Sequence, residues 1–161
     1  MKIVCISDTH GVHDNLKVPE CDLLIHAGDI SPNGKYWDCV RFAKWFRDQT
    51  QAKHKIFIAG NHDFLFQRKS SALHRDFFYK DLDSTVTYLQ DNSVVINGLK
   101  IYGSPWTPEF MNWAFMKVRG VDIAEVWKKI PIDVNILIVH GPPYGILDKV
   151  LDGDNVGCFD L

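Results

Sequence analysis

The stretch KIFIAGNHD, residues 55–63, joins a continuous apolar run directly to the segment Gly60-Asn61-His62-Asp63. A short apolar run that ends at such a turn is typical of a strand buried in a sheet. The same arrangement recurs elsewhere in the chain, where apolar runs lead into Asp8-Thr9-His10, Gly28-Asp29 and His140-Gly141-Pro142-Pro143. Because the carboxyl ends of neighbouring strands lie along one edge of a sheet, we expect these distant segments to meet at one site.

The apolar runs also predict the first layer of the fold. They cover residues 2–7, 22–27, 55–59 and 135–139, and their content of Ile, Val and Leu favours strands buried on both faces. Apolar residues between 36 and 50 follow helical spacing, and Asn33 is the predicted cap. The order strand, helix, strand predicts parallel pairing within an α/β layer.

The middle of the chain predicts a second sheet. Helical turns are expected after Asp63, followed by three short strands at 85–89, 93–96 and 100–102. Turns at Asp91-Asn92 and Asn97-Gly98 would make these strands partly antiparallel. An aromatic loop then covers 103–120, and helical spacing returns from Ile123 to Ile130 before the last strand.

Composition limits the class of protein. A chain of 161 residues with 46% hydrophobic residues and no linker-like segment predicts one domain over residues 1–161. The net charge of −2 and scattered cations argue against binding long nucleic acid. No apolar run reaches the length of a membrane span or a signal peptide, and the four cysteines form no C-x-x-C pair. These features predict a cytoplasmic protein that does not enter the membrane.

The polar segments contain the ligand types that divalent metals recruit. Two ions about 3.5 to 4 Å apart need a shared ligand, and the two oxygens of Asp29 can provide it. Asp8 and His10 would bind one ion, and Asn61 and His140 the other. Any one segment alone is better explained as a helix cap or a turn, but four of them after apolar runs predict a binuclear metallohydrolase.

The segment Gly60-Asn61-His62-Asp63 also predicts a proton donor. His62 stands next to a predicted ligand, so its ring could face the substrate instead of the metal. A hydrogen bond from its ring to Asp63 would fix the tautomer and keep the imidazole protonated near neutral pH. His26, in contrast, lies within an apolar run and is expected to be buried and hydrogen-bonded.

In this order, the four segments resemble the motifs of the calcineurin-like metallophosphoesterases. The segments around Asp8, Asp29 and His140 further resemble a small branch of metallophosphoesterase-domain proteins related to class III cyclic-nucleotide phosphodiesterases. The resemblance implies a four-layer αββα sandwich of two mixed sheets flanked by helices, with Mn, Fe, Zn or a similar ion at each of two positions. It assigns Asp8 and His10 to the first ion, Asp29 to the bridge, and Asn61 and His140 to the second ion.

The chain departs from the family pattern in one respect. Family members carry a G-H-x-H segment after one further strand, and its histidines supply one ligand to each ion; this sequence contains no such segment. We therefore expect a C-terminally truncated domain that lacks the last strands of the second sheet. His13, His54 and His74 have the residue type needed to replace the missing ligands, but none of them lies at a matching position. In the alternative, another copy in a homo-oligomer, or another partner, supplies the missing groups.

The resulting functional prediction is hydrolysis of phosphate esters, either phosphodiesters or phosphomonoesters, by a metal-bridging hydroxide. The substrate would be a small phosphorylated molecule, and a nucleotide is one candidate. Trp106, Trp113 and Phe115 either stack on a nucleobase or pack in the core. The alternative function is a metal-binding protein of little or no activity, whose incomplete site acts in an assembly or a regulatory role.

Overall fold

The computed structural model describes residues 1–68, 72–80 and 82–161 of the chain. Over these ranges the first sheet is entirely parallel and contains four strands that lie side by side in chain order. These strands are β1 (Ile3–Ile6), β2 (Cys21–Ala27), β3 (Ala52–Ile58) and β4 (Val86–Tyr88). Strands β1, β2 and β3 confirm the parallel layer predicted from the apolar runs. The fourth run, 135–139, was wrongly placed in this layer, because its strand pairs with residues 101–104 in the second sheet.

The placement of β4 corrects one prediction. Residues 85–89 were expected in the second sheet, but β4 pairs with β3 through the register Lys55 to Val86. The backbone N–H of Lys55 donates to the carbonyl of Thr85, and its Nζ donates to Thr85 Oγ1 at 2.7 Å. These contacts hold β4 at the edge of the first sheet, so the turn at Asp91 carries the chain between sheets instead of closing a hairpin.

The second sheet is mixed, as predicted. It contains β5 (Asn92–Ile96), β6 (Leu99–Ser104) and β9 (Ile136–Val139), and a short separate pair is formed by β7 (Thr107–Pro108) and β8 (Met116–Lys117). β5 and β6 are antiparallel, whereas β6 and β9 are parallel. The predicted turn is confirmed, because Asn97 and Gly98 both adopt positive φ, 51° and 80°, as a tight two-residue hairpin requires.

The helices are α1 (Tyr36–Arg47), α2 (Phe64–Gln67), α3 (Ala72–Lys80) and α4 (Val121–Trp127). Helix α1 ends earlier than predicted, and Lys35, not Asn33, precedes its first turn. Its buried stripe includes Phe42 and Phe46, whereas Trp37, on the same helix, is 75% exposed. Within the described ranges, none of the helices has the length and apolar character needed to cross a bilayer.

Among the described residues, three hydrophobic clusters define the layers. The first joins α1 and α3 to one face of the first sheet, through residues such as Phe42, Phe57 and Phe78. The second lies between the sheets, and the third packs α4 against Val139 of β9. Helix, sheet, sheet and helix therefore succeed one another, which confirms the predicted α/β sandwich. The inter-sheet cluster contains Leu23, Ile25, Ile56, Ile58, Leu89, Ile96, Ile101 and Ile138.

His26 on β2 is enclosed by this architecture. Its ring is fully buried and packs edge-on against Phe42, with the ring centroids 5.0 Å apart. Nε2 lies 3.0 Å from Thr9 Oγ1, so the residue is buried and hydrogen-bonded as predicted. Burial lowers the pKa of His26 to about 3, because the apolar surroundings disfavour the charged imidazolium.

Replacing His26 by Gln should make the fold less sensitive to acid. The pKa of His26 is about 3 in the folded chain and about 6.5 when unfolded, so its stabilising effect is complete above pH 6.5 and is lost towards pH 3. Between pH 7 and pH 5 the wild type should lose about 2 kcal/mol more unfolding free energy than the variant. Urea denaturation of the metal-free proteins measures this difference.

The matched control is His74→Gln, because His74 is exposed. This variant should keep the acid sensitivity of the wild type. Equal losses for the wild type and His26→Gln over the same pH interval would contradict the account of His26.

Candidate metal centre

The loops that follow β1 and β2 run side by side at the edge of the first sheet. Asp8 N donates to Gly28 O at 3.0 Å, and His10 N donates to Asp29 O at 3.0 Å. Asp8, His10 and Asp29 all adopt left-handed backbone conformations, with φ of 54°, 42° and 56°. Each such residue costs about 1 kcal/mol or more and persists only where surrounding contacts impose it, which is typical of functional sites. The left-handed loops thus bring three predicted ligands to the same edge of the sheet.

The Asp29 carboxylate is the centre of this site. The residue is only 3% exposed, and its Oδ2 lies 3.6 Å from His10 Nε2. Its Oδ1 lies 3.5 Å from His140 Nε2 and accepts a hydrogen bond from the backbone N–H of His62 at 2.8 Å. The two oxygens therefore face two different groups of side chains, as a bridging ligand must.

The structure brings all of the predicted metal ligands close to one another, and His62 lies among them. The donor atoms of His10, Asp29 and His62 lie within 4.8 Å of one another, and so do those of Asp8, Asp29 and His140. Asn61 Oδ1 lies 2.9 Å from His140 Nε2. These groups place Asp8 with His140, whereas the sequence predicted that Asp8 and His10 bind the same ion. The predicted assignment of ligands to the two ions stays a prediction.

His140 has one ring nitrogen turned towards the site. Its Nδ1 lies 2.9 Å from Ala27 O, and because a carbonyl only accepts, Nδ1 carries the hydrogen and Nε2 faces Asp29 and Asn61. Burial lowers the pKa of His140, but the hydrogen bond and charge of Asp29 outweigh burial and raise it to about 9. Burial likewise pushes the pKa of Asp29 upwards, and His140 holds it below its usual value.

His62 is oriented in the same way. Its Nδ1 lies 2.7 Å from Pro32 O and must carry a hydrogen, so Nε2 is the nitrogen that can take up or release a proton in the site. Nε2 is 3.9 Å from Asp29 Oδ2. The indole of Trp113 covers the ring at a centroid distance of 4.0 Å. Sequence reasoning assigned Trp113 to a nucleobase or to the core and missed this contact.

Asp63 does not make the predicted hydrogen bond with the His62 ring. Its side chain is fully buried, and its oxygens accept hydrogen bonds from Gly60 N, Ile30 N, Ser31 N and Ser31 Oγ, at 2.7 to 3.1 Å. The side chain points inwards and joins the loop after β2 to the loop after β3, while the His62 ring points outwards to Pro32 O. Burial raises the pKa of Asp63 to about 6, although the hydrogen bonds from these donors lower it. The prediction of a His62–Asp63 pair was wrong, and Asp63 supports the backbone on which the ligands stand.

The predicted substitute ligands lie elsewhere. His13 is fully buried beside Phe42 and Trp45, and the exposed His74 lies against Tyr36. His54 lies on β3, away from its carboxyl end. Within the ranges that the structure describes, none of these histidines belongs to a group that could hold a metal.

A cavity of about 630 Å³ opens beside the second ligand group. Asp8, Asn61 and His140 form one end, and the β7–β8 segment and residues 150–156 form its walls. Arg119 also lines the cavity, and its guanidinium is held by the carbonyls of Val156 and Gly157 at 2.6 Å. No sequence motif pointed to Arg119, because the loop that holds it lies far along the chain.

The donor set fits divalent transition metals. Carboxylate, imidazole and amide oxygen ligands suit Mn, Fe and Zn, whereas Ca and Mg prefer oxygen alone. The left-handed loops and the backbone carbonyl that fixes the His140 imidazole pre-orient these donors. A comparison of the sequence with known families agrees with this geometry. The family model described as calcineurin-like phosphoesterase matches residues 1–158. The chain belongs to the calcineurin-like phosphoesterase family.

Individual relatives agree with this assignment. Metallophosphoesterase domain-containing protein 1 of Homo sapiens is 39% identical over 178 aligned residues, which cover 99% of this chain and 54% of that protein. A UPF0046 protein of Caenorhabditis elegans is 39% identical over 169 residues, covering 100% of this chain and 57% of the relative. These likenesses support the small branch predicted from the motifs. The chain spans about half the length of the curated relatives it matches.

Replacing Gly60 by Ala should weaken metal binding. A Cβ on Gly60 would overlap Oδ1 and the backbone nitrogen of Asp29, so the carboxylate that is predicted to bridge the metals must move. We expect the affinity for Mn to fall about 10- to 100-fold, as when a group that orients a ligand is lost. Calorimetric titration with Mn measures the affinity, and circular dichroism confirms that the variant is folded.

Gly98→Asn is the control. A Cβ at Gly98 meets no atom within 4 Å, and Asn tolerates its φ of +80°. This variant should bind Mn like the wild type. A folded Gly60→Ala protein with unchanged Mn affinity would show that Asp29 does not hold the metal.

Proposed function

We propose that this chain hydrolyses phosphate esters with two divalent cations. Asp8, His10, Asp29, Asn61 and His140 would hold the cations, and the two oxygens of Asp29 would be shared between them. The observation that carries the proposal is the placement of Asp29, whose two oxygens face His10 and His140 at 3.6 and 3.5 Å. Membership of the calcineurin-like phosphoesterase family supports the same reaction.

The metal pair accounts for the part of the reaction that the side chains cannot perform. When bound, two such cations supply Lewis-acid activation of water and neutralise charge on the phosphoryl oxygens. Asp29, shielded from solvent, keeps its negative charge between the two imidazoles. His10 and His140 contribute neutral ligands once their Nε2 atoms are free of hydrogen. The chain therefore places an anionic ligand at the centre and neutral ligands around it.

His62 protonates the leaving group in this proposal. Its Nδ1 hydrogen is committed to Pro32 O, so the proton to be transferred is on Nε2, which points into the site. His62 is also half-buried, and its ring lies within 4.8 Å of the ligand atoms of His10 and Asp29. A departing alkoxide or phenolate gains most from such a donor when it is a strong base.

The substrate is a small phosphorylated molecule. The cavity of about 630 Å³ lies within the usual range for small-molecule sites, and it opens directly onto Asp8, Asn61 and His140. Its walls combine apolar side chains with charged ones of both signs, the cation Arg119 and the carboxylates Glu109, Asp152 and Asp154. An organic group attached to the phosphate would occupy this space while the phosphoryl oxygens face the ligands.

Hydrolysis of bis(4-nitrophenyl) phosphate and 4-nitrophenyl phosphate with added Mn tests the proposal. The wild type should release nitrophenolate from at least one of them, and Asp29→Asn should abolish the reaction and weaken Mn binding. Tight Mn binding without hydrolysis of either ester would overturn the proposal. That outcome would favour the alternative, a metal-binding protein without turnover.

Replacing His62 by Ala should have an effect that depends on the leaving group. For a phenyl ester, whose phenolate is basic, we expect kcat to fall about 100-fold or more, whereas the nitrophenyl ester should lose less than about tenfold. Mn affinity should be retained, because His62 acts as an acid and not as a ligand. His74→Ala, which removes an exposed imidazole, is the control and should leave both rates unchanged.

Equal losses on the two esters would contradict the assigned role of His62. A large loss of Mn affinity in His62→Ala would instead make this residue a metal ligand, in line with its distance from Asp29.

A further inference from the structure

The aromatic loop between β6 and α4 reaches the candidate acid. The indole of Trp113 lies over the imidazole of His62, with the ring centroids 4.0 Å apart and the planes inclined by 33°. The next residue, Ala114, donates its backbone N–H to Asn61 O at 2.8 Å. One ring contact and one backbone hydrogen bond thus join this loop to the segment that carries the ligand Asn61 and the acid His62.

Burial does not explain the position of Trp113. The residue is half-buried, and among the described residues it belongs to none of the three hydrophobic clusters. Its neighbours Ala114 and Phe115, in contrast, are fully buried. The indole contacts His62 and, at a centroid distance of 6.3 Å, Phe64, so its main partner is a residue of the site.

Without this contact, the orientation of the His62 ring would not be fixed. The hydrogen bond from Nδ1 to Pro32 O fixes one atom of the imidazole, but the ring can still tilt about that bond. The edge contact with His10, at a centroid distance of 4.7 Å, restrains one side of the ring. The flat indole covers a face and therefore fixes the plane of the ring and the direction of Nε2.

The loop that carries Trp113 is itself firmly held. Phe115 packs edge-on against Trp106, whose Nε1 donates to Asp91 Oδ2 at 2.9 Å. Thr107 N donates to Phe115 O at 3.0 Å, where β7 and β8 pair. The same β7–β8 segment forms a wall of the cavity. The indole is thus attached to an anchored support and not to a free loop.

We propose that Trp113 is a positioning residue, which holds the His62 imidazole in the plane that aims Nε2 at the leaving-group oxygen. This inference rests on the proposed function, because it assumes that His62 protonates the leaving group. Trp113 contacts neither metal nor substrate in this account and acts only through His62. Its loss should therefore affect protonation of the leaving group and spare metal binding and substrate binding.

The kinetic test compares Trp113→Leu and Trp113→Phe on phenyl and 4-nitrophenyl phosphate esters with Mn. Trp113→Leu should lower kcat about tenfold on the phenyl ester, since a small misplacement of a catalytic group costs one to two orders of magnitude. It should change kcat less than about threefold on the nitrophenyl ester, with KM and Mn affinity unchanged. Trp113→Phe retains a flat ring and should restore most of the phenyl ester rate.

Trp37→Leu is the matched control, because Trp37 is 75% exposed and lies on α1. It should leave both rates unchanged. An NMR measurement on the metal-free protein tests the ring contact directly. The carbon-bound ring protons of His62 should be shifted upfield by the indole ring current, and Trp113→Leu, but not Trp37→Leu, should remove the shift.

The outcomes separate the two proposals. If the wild type hydrolyses neither class of ester, the proposed function fails, and the role of Trp113 fails with it. If the wild type is active and His62→Ala shows the leaving-group dependence, then equal losses on both esters in Trp113→Leu would overturn the positioning role alone. An unshifted His62 ring in the wild type would also overturn it.

Discussion

The buried carboxylate of Asp29 is the constraint on which the rest of the structure depends. A negative charge that is almost removed from water is costly unless it is paired, and here it lies between His10 and His140. Both sheets supply this arrangement, because Asp29 and His10 follow β2 and β1 of the first sheet, while His140 follows β9 of the second. Proton-bearing imidazoles can stabilise the carboxylate, and divalent cations can do so more strongly.

The backbone is shaped around this carboxylate. Three left-handed residues, Asp8, His10 and Asp29, turn their side chains towards the site, and Gly60 leaves the space that the carboxylate occupies. Backbone carbonyls fix the ring nitrogens of His62 and His140, so both rings present Nε2. The buried Asp63 carboxylate accepts hydrogen bonds from Ile30 N and Gly60 N and so connects the loops that follow β2 and β3. Such backbone support limits the reorganisation that metal binding requires.

Much of this arrangement could be predicted from the sequence, because strand ends are marked by abrupt changes from apolar to polar residues. The parallel layer, the hairpin at Asn97-Gly98 and the convergence of the predicted ligands all follow from such local signals. The errors concern contacts that local patterns do not encode. β4 joins the first sheet through its pairing with Lys55, and Asp63 turns inwards although its neighbour His62 turns outwards. The contact of Trp113 with His62 likewise depends on tertiary packing across the loop.

Electron paramagnetic resonance of the protein loaded with Mn tests the central claim most directly, because metal ions that share a carboxylate are magnetically coupled. We expect two Mn ions per chain and a spectrum of a coupled pair. In Asp29→Asn, coupling should be lost even where Mn remains bound. A single ion per chain, or two ions that give the uncoupled spectrum of isolated Mn in the wild type, would contradict the account of Asp29 as the bridge.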